Sequence, residues 1–262
     1  MKIWTVDAFT KDAYQGNPAA VMVMDDFPIR AQAIAAEMNL SETVFLKPLQ
    51  ENRYHIRWFT PDVEVDLCGH ATLAGCHVLF HHLKIPFDEV RLQSLSGDLL
   101  VQKEGASSYT LNFPRQDVSD LLDSAPFKAI FPKARLEEVR KAHDDIIVLC
   151  ANEDEVREAL PDFVALQQIE ARGVILTSPG VHYDFVSRFF APKVGVPEDP
   201  VTGSAHCKLV PYWAARLGKD TLTAYQASKR GGVLSLRLEK DRVFITGDAV
   251  TVMEGMWLGP LS

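Results

Sequence analysis

No apolar run in these 262 residues approaches the roughly 20 residues that a bilayer-spanning helix needs; stretches such as Ala19-Ala20-Val21-Met22-Val23-Met24 fall far short. The opening Met1-Lys2-Ile3-Trp4-Thr5-Val6-Asp7 reads as a strand and lacks the apolar core of a signal peptide. No membrane partner and a cytoplasmic location are therefore expected. Cysteine is scarce: Cys68, Cys76, Cys150 and Cys207 show no CxxC spacing, so neither a zinc knuckle nor a disulfide framework is supported. Positive charge is in deficit, with 27 Lys and Arg against 35 Asp and Glu and a net charge of -8. That balance argues against nucleic acid as a partner, which usually demands a basic face. A GxGxxG turn, a P-loop and an obvious Schiff-base lysine are all missing, so no nucleotide or PLP cofactor is implied, and none is expected.

What the chain does have is an internal repeat around a glycine. Arg57-Trp58-Phe59-Thr60-Pro61 leads to Asp66-Leu67-Cys68-Gly69-His70-Ala71 and a helix-like run. Arg188-Phe189-Phe190-Ala191-Pro192 leads to Pro200-Val201-Thr202-Gly203-Ser204-Ala205 and another. A strand signal follows each copy, Gln93-Ser94-Leu95-Ser96-Gly97 and then Gln226-Ala227-Ser228. Two related halves predict two similar domains, residues 1–115 and 116–249, with the final strand of 250–262 returning to the first half and a cleft between the two. In each half a small-residue turn opens a helix, and the free N–H groups and positive dipole end suit a carboxylate or phosphate.

The local pattern predicts paired strands at 2–9 and 18–24 around the turn Gly16-Asn17-Pro18, and an amphipathic helix from Ile29 to Met38. Further strands are expected at Glu42–Leu46, 55–59, 90–94, 98–102 and 109–112. Ala71 to Leu83 is apolar on nearly every side, as befits a helix wrapped by a sheet. In the second half, charged helical segments are predicted at Ala134–Lys141 and Glu153–Leu160, with strands at 145–149, 172–177 and 184–190. Ala205 to Leu217 is the counterpart central helix, closed by Gly218, and Pro211 should kink it or mark a late start. Separate strands are read at 221–226, 233–239, 242–245 and 249–254.

Three places carry candidate chemistry. Gly69 lets the backbone approach a ligand closely, and His70 projects from the first helical turn; the plainer reading is a capped helix with an ordinary polar residue. Asp199 and Ser204 bracket the turn stiffened by Pro200, although Asp199 or Thr202 could simply cap the helix. Glu42 opens an otherwise apolar strand. It is either a solvated strand end or, if desolvated, a carboxylate raised toward neutrality and suited to take and return a proton. His77, His81 and His82 share one helix, but no HExxH carboxylate accompanies them, so packing or surface roles are assigned and no metal is expected. Arg57 and Arg188 read as supports for the site walls, with a substrate carboxylate as the alternative partner.

Together Asn17-Pro18-Ala19-Ala20-Val21, Asn39-Leu40-Ser41-Glu42-Thr43, Arg57-Trp58-Phe59-Thr60-Pro61, Asp66 to Thr72 and Glu198 to Ala205 resemble the phenazine-biosynthesis PhzF-like proteins, relatives of diaminopimelate epimerase. The resemblance runs from Asp7 to Gly232. It implies an α/β (α+β) fold of two similar domains, each a mixed, largely antiparallel barrel-like sheet around a central helix. It places the family's proton-transferring Glu on Glu42, its His on His70, and its Asp and Ser on Asp199 and Ser204. Ser41, Gly69, His70, Gly203 and Ser204 would bind the substrate carboxylate. The implied activity is a cofactor-independent isomerisation of a small, amino-acid-like and possibly cyclic carboxylate, of the kind used in phenazine biosynthesis; homodimers are implied only in the same way. Two-base epimerases of this fold carry a cysteine at each turn, whereas here Cys68 is matched by Thr202. A two-thiol racemase is therefore disfavoured, and Cys68 reads as a small buried residue. The rival class is a non-catalytic metabolite-binding or interaction protein on the same fold, since fold alone does not fix function.

Overall fold

Short apolar runs punctuated by turn residues become strands, and the structure, a computed structural model, describes all 262 residues. The chain forms two units, Met1–Phe113 with Ile245–Ser262, and Pro114–Phe244. The first supplies β1 (Lys2–Ala8), β2 (Asn17–Val23), β3 (Glu42–Pro48), β4 (Arg53–Phe59), β5 (Glu64–Val65), β6 (Glu89–Ser94), β7 (Gly97–Lys103) and β8 (Ser108–Pro114). The second supplies β9 (Leu136–Ala142), β10 (Asp145–Cys150), β11 (Val174–Pro179), β12 (Phe185–Ala191), β13 (Val196–Asp199), β14 (Thr221–Gln226) and β15 (Gly232–Glu239). The last strand, β16 (Arg242–Met256), begins in the second unit and ends in the first. The helices are α1 (Ala31–Met38), α2 (Gly69–His77), α3 (Ala125–Ile130), α4 (Glu153–Arg157), α5 (Phe163–Leu166) and α6 (Gly203–Leu217).

The repeat seen in the sequence reappears as one pairing series run twice. In the first unit β1–β2 is antiparallel, β2–β3 parallel, β3–β4 antiparallel, β4–β6 parallel and β6–β7 antiparallel, with β5 hung on β4. In the second β9–β10 is antiparallel, β10–β11 parallel, β11–β12 antiparallel, β12–β14 parallel and β14–β15 antiparallel, with β13 hung on β12. The order β1-β2-β3-β4-β6-β7-β8-β16 closes on itself in the first unit, because β1 pairs antiparallel with β16. Closure removes the exposed edges that an open sheet would present.

Each unit wraps its own helix. All nine residues of α2 are buried, and it packs against β1, β2 and β3. Its small residues permit that approach: a Cβ added at Gly75 would stand 3.0 Å from Leu46 Cδ1. In α6 every residue from Gly203 to Ala214 except Ser204 is buried. Pro211 does not delay the start of this helix, correcting that part of the expectation above: α6 runs from Gly203 through Pro211 to Leu217. The hydrogen bond that proline cannot donate would have gone to the Cys207 carbonyl, which instead accepts from the Gln116 N–H at 3.1 Å.

Other boundaries also moved. Ala134–Lys141, expected as helix, lies mainly in strand β9: a two-residue turn at His143-Asp144, with His143 at φ +57°, folds it back onto the buried strand β10, and that partner overrides local helix propensity. The strands read separately at 242–245 and 249–254 are one continuous β16. Helix α1 begins at Ala31 and leaves Ile29 exposed. The first central helix ends its α-form at His77 and continues as a π turn over Val78–His82.

Gly16 sets the entry to β2. Its φ of +63° lies in the left-handed region, and a Cβ there would overlap the Ala8 carbonyl oxygen. Gly16→Ala is expected to lower stability by about 2 kcal/mol or more, since left-handed backbone alone costs about 1–2 kcal/mol for an L-residue and the overlap adds to it. The urea midpoint measures this, and an unshifted midpoint would refute it.

Candidate active site

Strand register assembles the first group. β2 and β3 run parallel with Ala19 beside Glu42, so Asn17 at the start of β2 and Glu42 at the start of β3 share one end of the barrel. Helix α2 opens at the same end, after Cys68 in extended backbone, and brings His70 between them. His70 Nε2 stands 2.9 Å from Glu42 Oε2, with the His70 side chain 4% and the Glu42 side chain 16% exposed. The two atoms are at ion-pair distance, although their angle is not that of a hydrogen bond. On the far side of the ring, Nδ1 lies 3.0 Å from Asn17 Nδ2 and 3.4 Å from Cys68 Sγ. Ser41 occupies the half-buried bend just before Glu42.

These contacts decide how the imidazole holds its protons. In the neutral ring an Asn17 amide donating to Nδ1 leaves the one proton on Nε2, facing the Glu42 carboxylate; once the ring is protonated both nitrogens donate. Burial alone would push His70 down, but its charged neighbours outweigh burial and hold it well above the ordinary histidine value of 6.5. Burial pushes the Cys68 thiol up to about 11, so at neutral pH the sulfur carries no charge and Glu42 is the effective partner. Glu42, Cys68 and His70 also place one oxygen, one sulfur and one nitrogen within 4.8 Å of one another, a set a metal could use only after the thiol loses its proton.

The second group belongs to the other unit. Thr202 precedes α6 in extended backbone, and its side chain makes no capping bond to the helix. Its hydroxyl instead donates to Asp199 Oδ2 at 2.5 Å. Asp199 is thus a partner of the turn and not the residue that caps the helix. Fully buried Gln226 fastens the turn from β14: its Oε1 accepts from Thr202 N–H at 2.8 Å, and its Nε2 donates to the Asp199 carbonyl at 2.8 Å and to Thr202 Oγ1 at 3.1 Å. Ser204 Oγ accepts from Arg172 Nη2 at 3.1 Å, and Gly203 is buried at the helix start. Arg172 is held in turn by a two-point contact with Asp145, which also pairs with the buried ammonium of Lys208. His206, pushed down to about 4 by burial, stays neutral and donates Nδ1–H to the Thr202 carbonyl at 2.8 Å.

A pair of serines shows why both turns share a downstream strand signal. Ser96 donates to the Asp66 carbonyl at 2.8 Å, and Ser228 donates to the Pro200 carbonyl at 2.8 Å. Asp66 and Pro200 occupy the same place in the two copies, three residues before the glycine. The repeated arginines are likewise matched: Arg57 grips both oxygens of Glu64, and Arg188 grips both of Glu198 and three backbone carbonyls besides. Both are committed to their own walls.

Comparison with known proteins agrees with this architecture. A family model described as phenazine biosynthesis-like protein matches residues 6–255. The chain belongs to the PhzF-like family. It is 48% identical over 252 residues, covering 95% of each chain, to an uncharacterized isomerase of Pseudomonas aeruginosa. It is 45% identical over 265 residues, covering 96% of each, to an uncharacterized isomerase of Halalkalibacterium halodurans. The crystal structure of a PhzF family protein from Enterococcus faecalis superposes with a TM-score of 0.91 at 40% identity, covering 98% of this chain and 99% of that one. The chain is an isomerase of this family, with the mixed α/β, barrel-containing fold expected of it.

Sequence reasoning picked Glu42 and His70, which the structure brings together, and Asp199 and Ser204, which it places on either side of one turn, the first bonded to Thr202 and the second to Arg172. It missed Asn17 as the partner of His70, although Asn17 stood in a quoted motif as a turn residue. It also missed Arg172, Asp145 and Lys208, whose only signal was a lysine inside an otherwise apolar helix. The raised His70 pKa has a sign: its stabilisation is complete below about 6.5, the ordinary histidine value, and fades as pH rises through the raised folded value. An imidazole NMR titration should therefore show a midpoint above 6.5 that falls in Glu42→Gln. A midpoint at or below 6.5 in the native chain would overturn the pairing.

Proposed function

We propose that this isomerase moves a proton between two carbons of a small, amino-acid-like carboxylate, with Glu42 as the group that takes and returns it. The observation that supports this reading is the Glu42–His70 contact at 2.9 Å, buried at the mouth of a helix N-terminus. His70 engages Oε2 and leaves Oε1 for the substrate. The carboxylate removes a C–H proton, and the electron pair passes into the conjugated system next to the substrate carboxylate. A proton, open to exchange with solvent while it rests on the Glu42 carboxyl, then returns to a different carbon, so one C–H bond breaks, one forms, and no electrons are gained or lost overall. No cofactor is called for by that sequence of steps.

The α2 N-terminus supplies the anion site. The first-turn N–H groups, beginning at Gly69 and His70, have no acceptor inside the helix, and they sit at the positive end of its dipole. Ser41, half-buried before Glu42, adds a hydroxyl at the same end. His70 orients the base and stabilises its charge as the proton comes and goes. Roles for Asp199, Gly203 and Ser204 in the same reaction are read from kinetics: Ser204→Ala should raise KM more than it lowers kcat if the hydroxyl only binds.

Glu42→Gln keeps size and polarity but removes the base, and is expected to cost about 10²–10⁴-fold in turnover. The assay is exchange of carbon-bound hydrogen in D₂O, screened over metabolites that raise the melting temperature. His70→Asn should weaken turnover while leaving exchange detectable. Equal exchange rates in the native chain and Glu42→Gln would sink the mechanism, and a bound metabolite with no exchange at all would return the chain to a binding role.

A further inference from the structure

At the opposite end of α2 from His70, three imidazoles converge. An α-helix turns about 100° per residue, so His77 and His81 would share a face while His82 would stand well round the helix. The chain does not stay α-helical there. Val78–His82 is a π turn, with Leu83 N–H donating to the Val78 carbonyl five residues back at 3.0 Å. The wider winding carries His82 back toward the line of His77, and such π turns recur at functional sites.

The resulting geometry is specific. The rings of His77 and His81 stack with centroids 4.9 Å apart, and His82 lies 5.1 Å from His81 and 5.9 Å from His77. Nε2 of His77 and Nε2 of His82 both aim at Thr251 Oγ1 on β16, at 3.0 and 2.7 Å. One ring nitrogen from each of the three histidines lies within 4.8 Å of the other two. Buried His77 is fixed from behind by Tyr109, whose hydroxyl lies 3.1 Å from Nδ1, and the second ring nitrogen of His82 stands 3.7 Å from Glu254 Oε2. A ligating imidazole held on its far nitrogen by a hydroxyl or carboxylate is the usual outer arrangement of a metal centre.

We propose that His77, His81 and His82 bind one divalent transition-metal ion of the zinc class, with the Thr251 hydroxyl or a water completing the shell. Three borderline nitrogen donors favour zinc, cobalt, nickel or copper over magnesium or calcium. Ligands about 2.1 Å from a zinc ion lie about 3.4 Å apart, closer than the 4.8 Å limit seen here. His81 is exposed and His82 partly so, so both have room to turn inward while His77 stays as the anchor. The ion would tie the end of α2 to β16, about 10 Å along the helix from His70. Its role is structural, and it is separate from the proton-transfer reading above.

The test uses the whole chain, stripped with a chelator and titrated with zinc by calorimetry, and with cobalt by visible absorption. One equivalent is expected, with the absorption of low-coordinate cobalt and a rise in melting temperature. His81→Ala and His82→Ala change side chains with solvent access, and each should weaken binding by about 10–100-fold or more, the loss seen even for outer-sphere partners. Cys68→Ser separates this centre from the Glu42, Cys68 and His70 group and should leave affinity unchanged. Absence of stoichiometric binding, affinity unchanged in both histidine variants, or binding lost in Cys68→Ser would each overturn the assignment.

Discussion

A helix wrapped by a sheet takes its entry turn indoors with it, so the backbone carbonyls of that turn need partners other than water, and much of this structure answers that constraint. Unsatisfied polar groups in a dry interior cost on the order of 1–3 kcal/mol each. In the first unit Thr72 bonds back to the Cys68 carbonyl through both its N–H and its hydroxyl, and Ser96 ties the Asp66 carbonyl. In the second, Gln226, Ser228 and His206 perform the same service on the backbone between Asp199 and Thr202. Fastening the turn leaves the helix N-terminus rigid and its remaining donors aimed outward. Donors held in that way suit the carboxylate proposed as substrate before any proton-transferring residue is added.

The two copies then diverge in what they add. The first turn carries a titratable pair, Glu42 and His70, with Asn17 deciding which ring nitrogen bears the proton. The second carries a fixed cation, Arg172, whose charge is balanced by Asp145 and bonded to Ser204. A guanidinium cannot lose its proton near neutral pH, so this arrangement favours electrostatic holding over proton transfer. Thr202 in the place matched to Cys68 fits the same division, since a hydroxyl bonded to Asp199 is no base. On the proposed function, proton transfer falls to one turn and binding polarity to the other.

How much of this could be read beforehand follows from how local each signal is. The repeat, the enclosed helices and Glu42 with His70 were legible because small residues, glycine turns and lone carboxylates are marked in the sequence itself. β9 was misread because Leu136–Ala142 is charged, and its strand state comes from pairing with β10 across the His143 turn. The tolerance of Pro211 was invisible for a similar reason: it depends on Gln116, ninety-odd positions earlier in the chain, supplying an N–H to Cys207. Asn17 was seen only as a turn residue, because nothing local says that parallel pairing of β2 with β3 will set it against His70.

The far end of α2 shows the same dependence of chemistry on backbone. Three histidines at positions 77, 81 and 82 have no common face on an α-helix, and although His77 and His81 have the i, i+4 spacing of a metal pair, the lack of an HExxH carboxylate gave all three packing or surface roles. One change of winding, from α to π after His77, turns scattered imidazoles into a cluster around Thr251. The π turn leaves one helix with a polar group at each end: a carboxylate–imidazole pair where its dipole is positive, and a cluster of three imidazoles where it is negative. That polarity matches the field of the helix itself, which favours anions at the first end and cations at the second. A substrate carboxylate and a metal cation would therefore sit on α2 in the orientation its own backbone prefers.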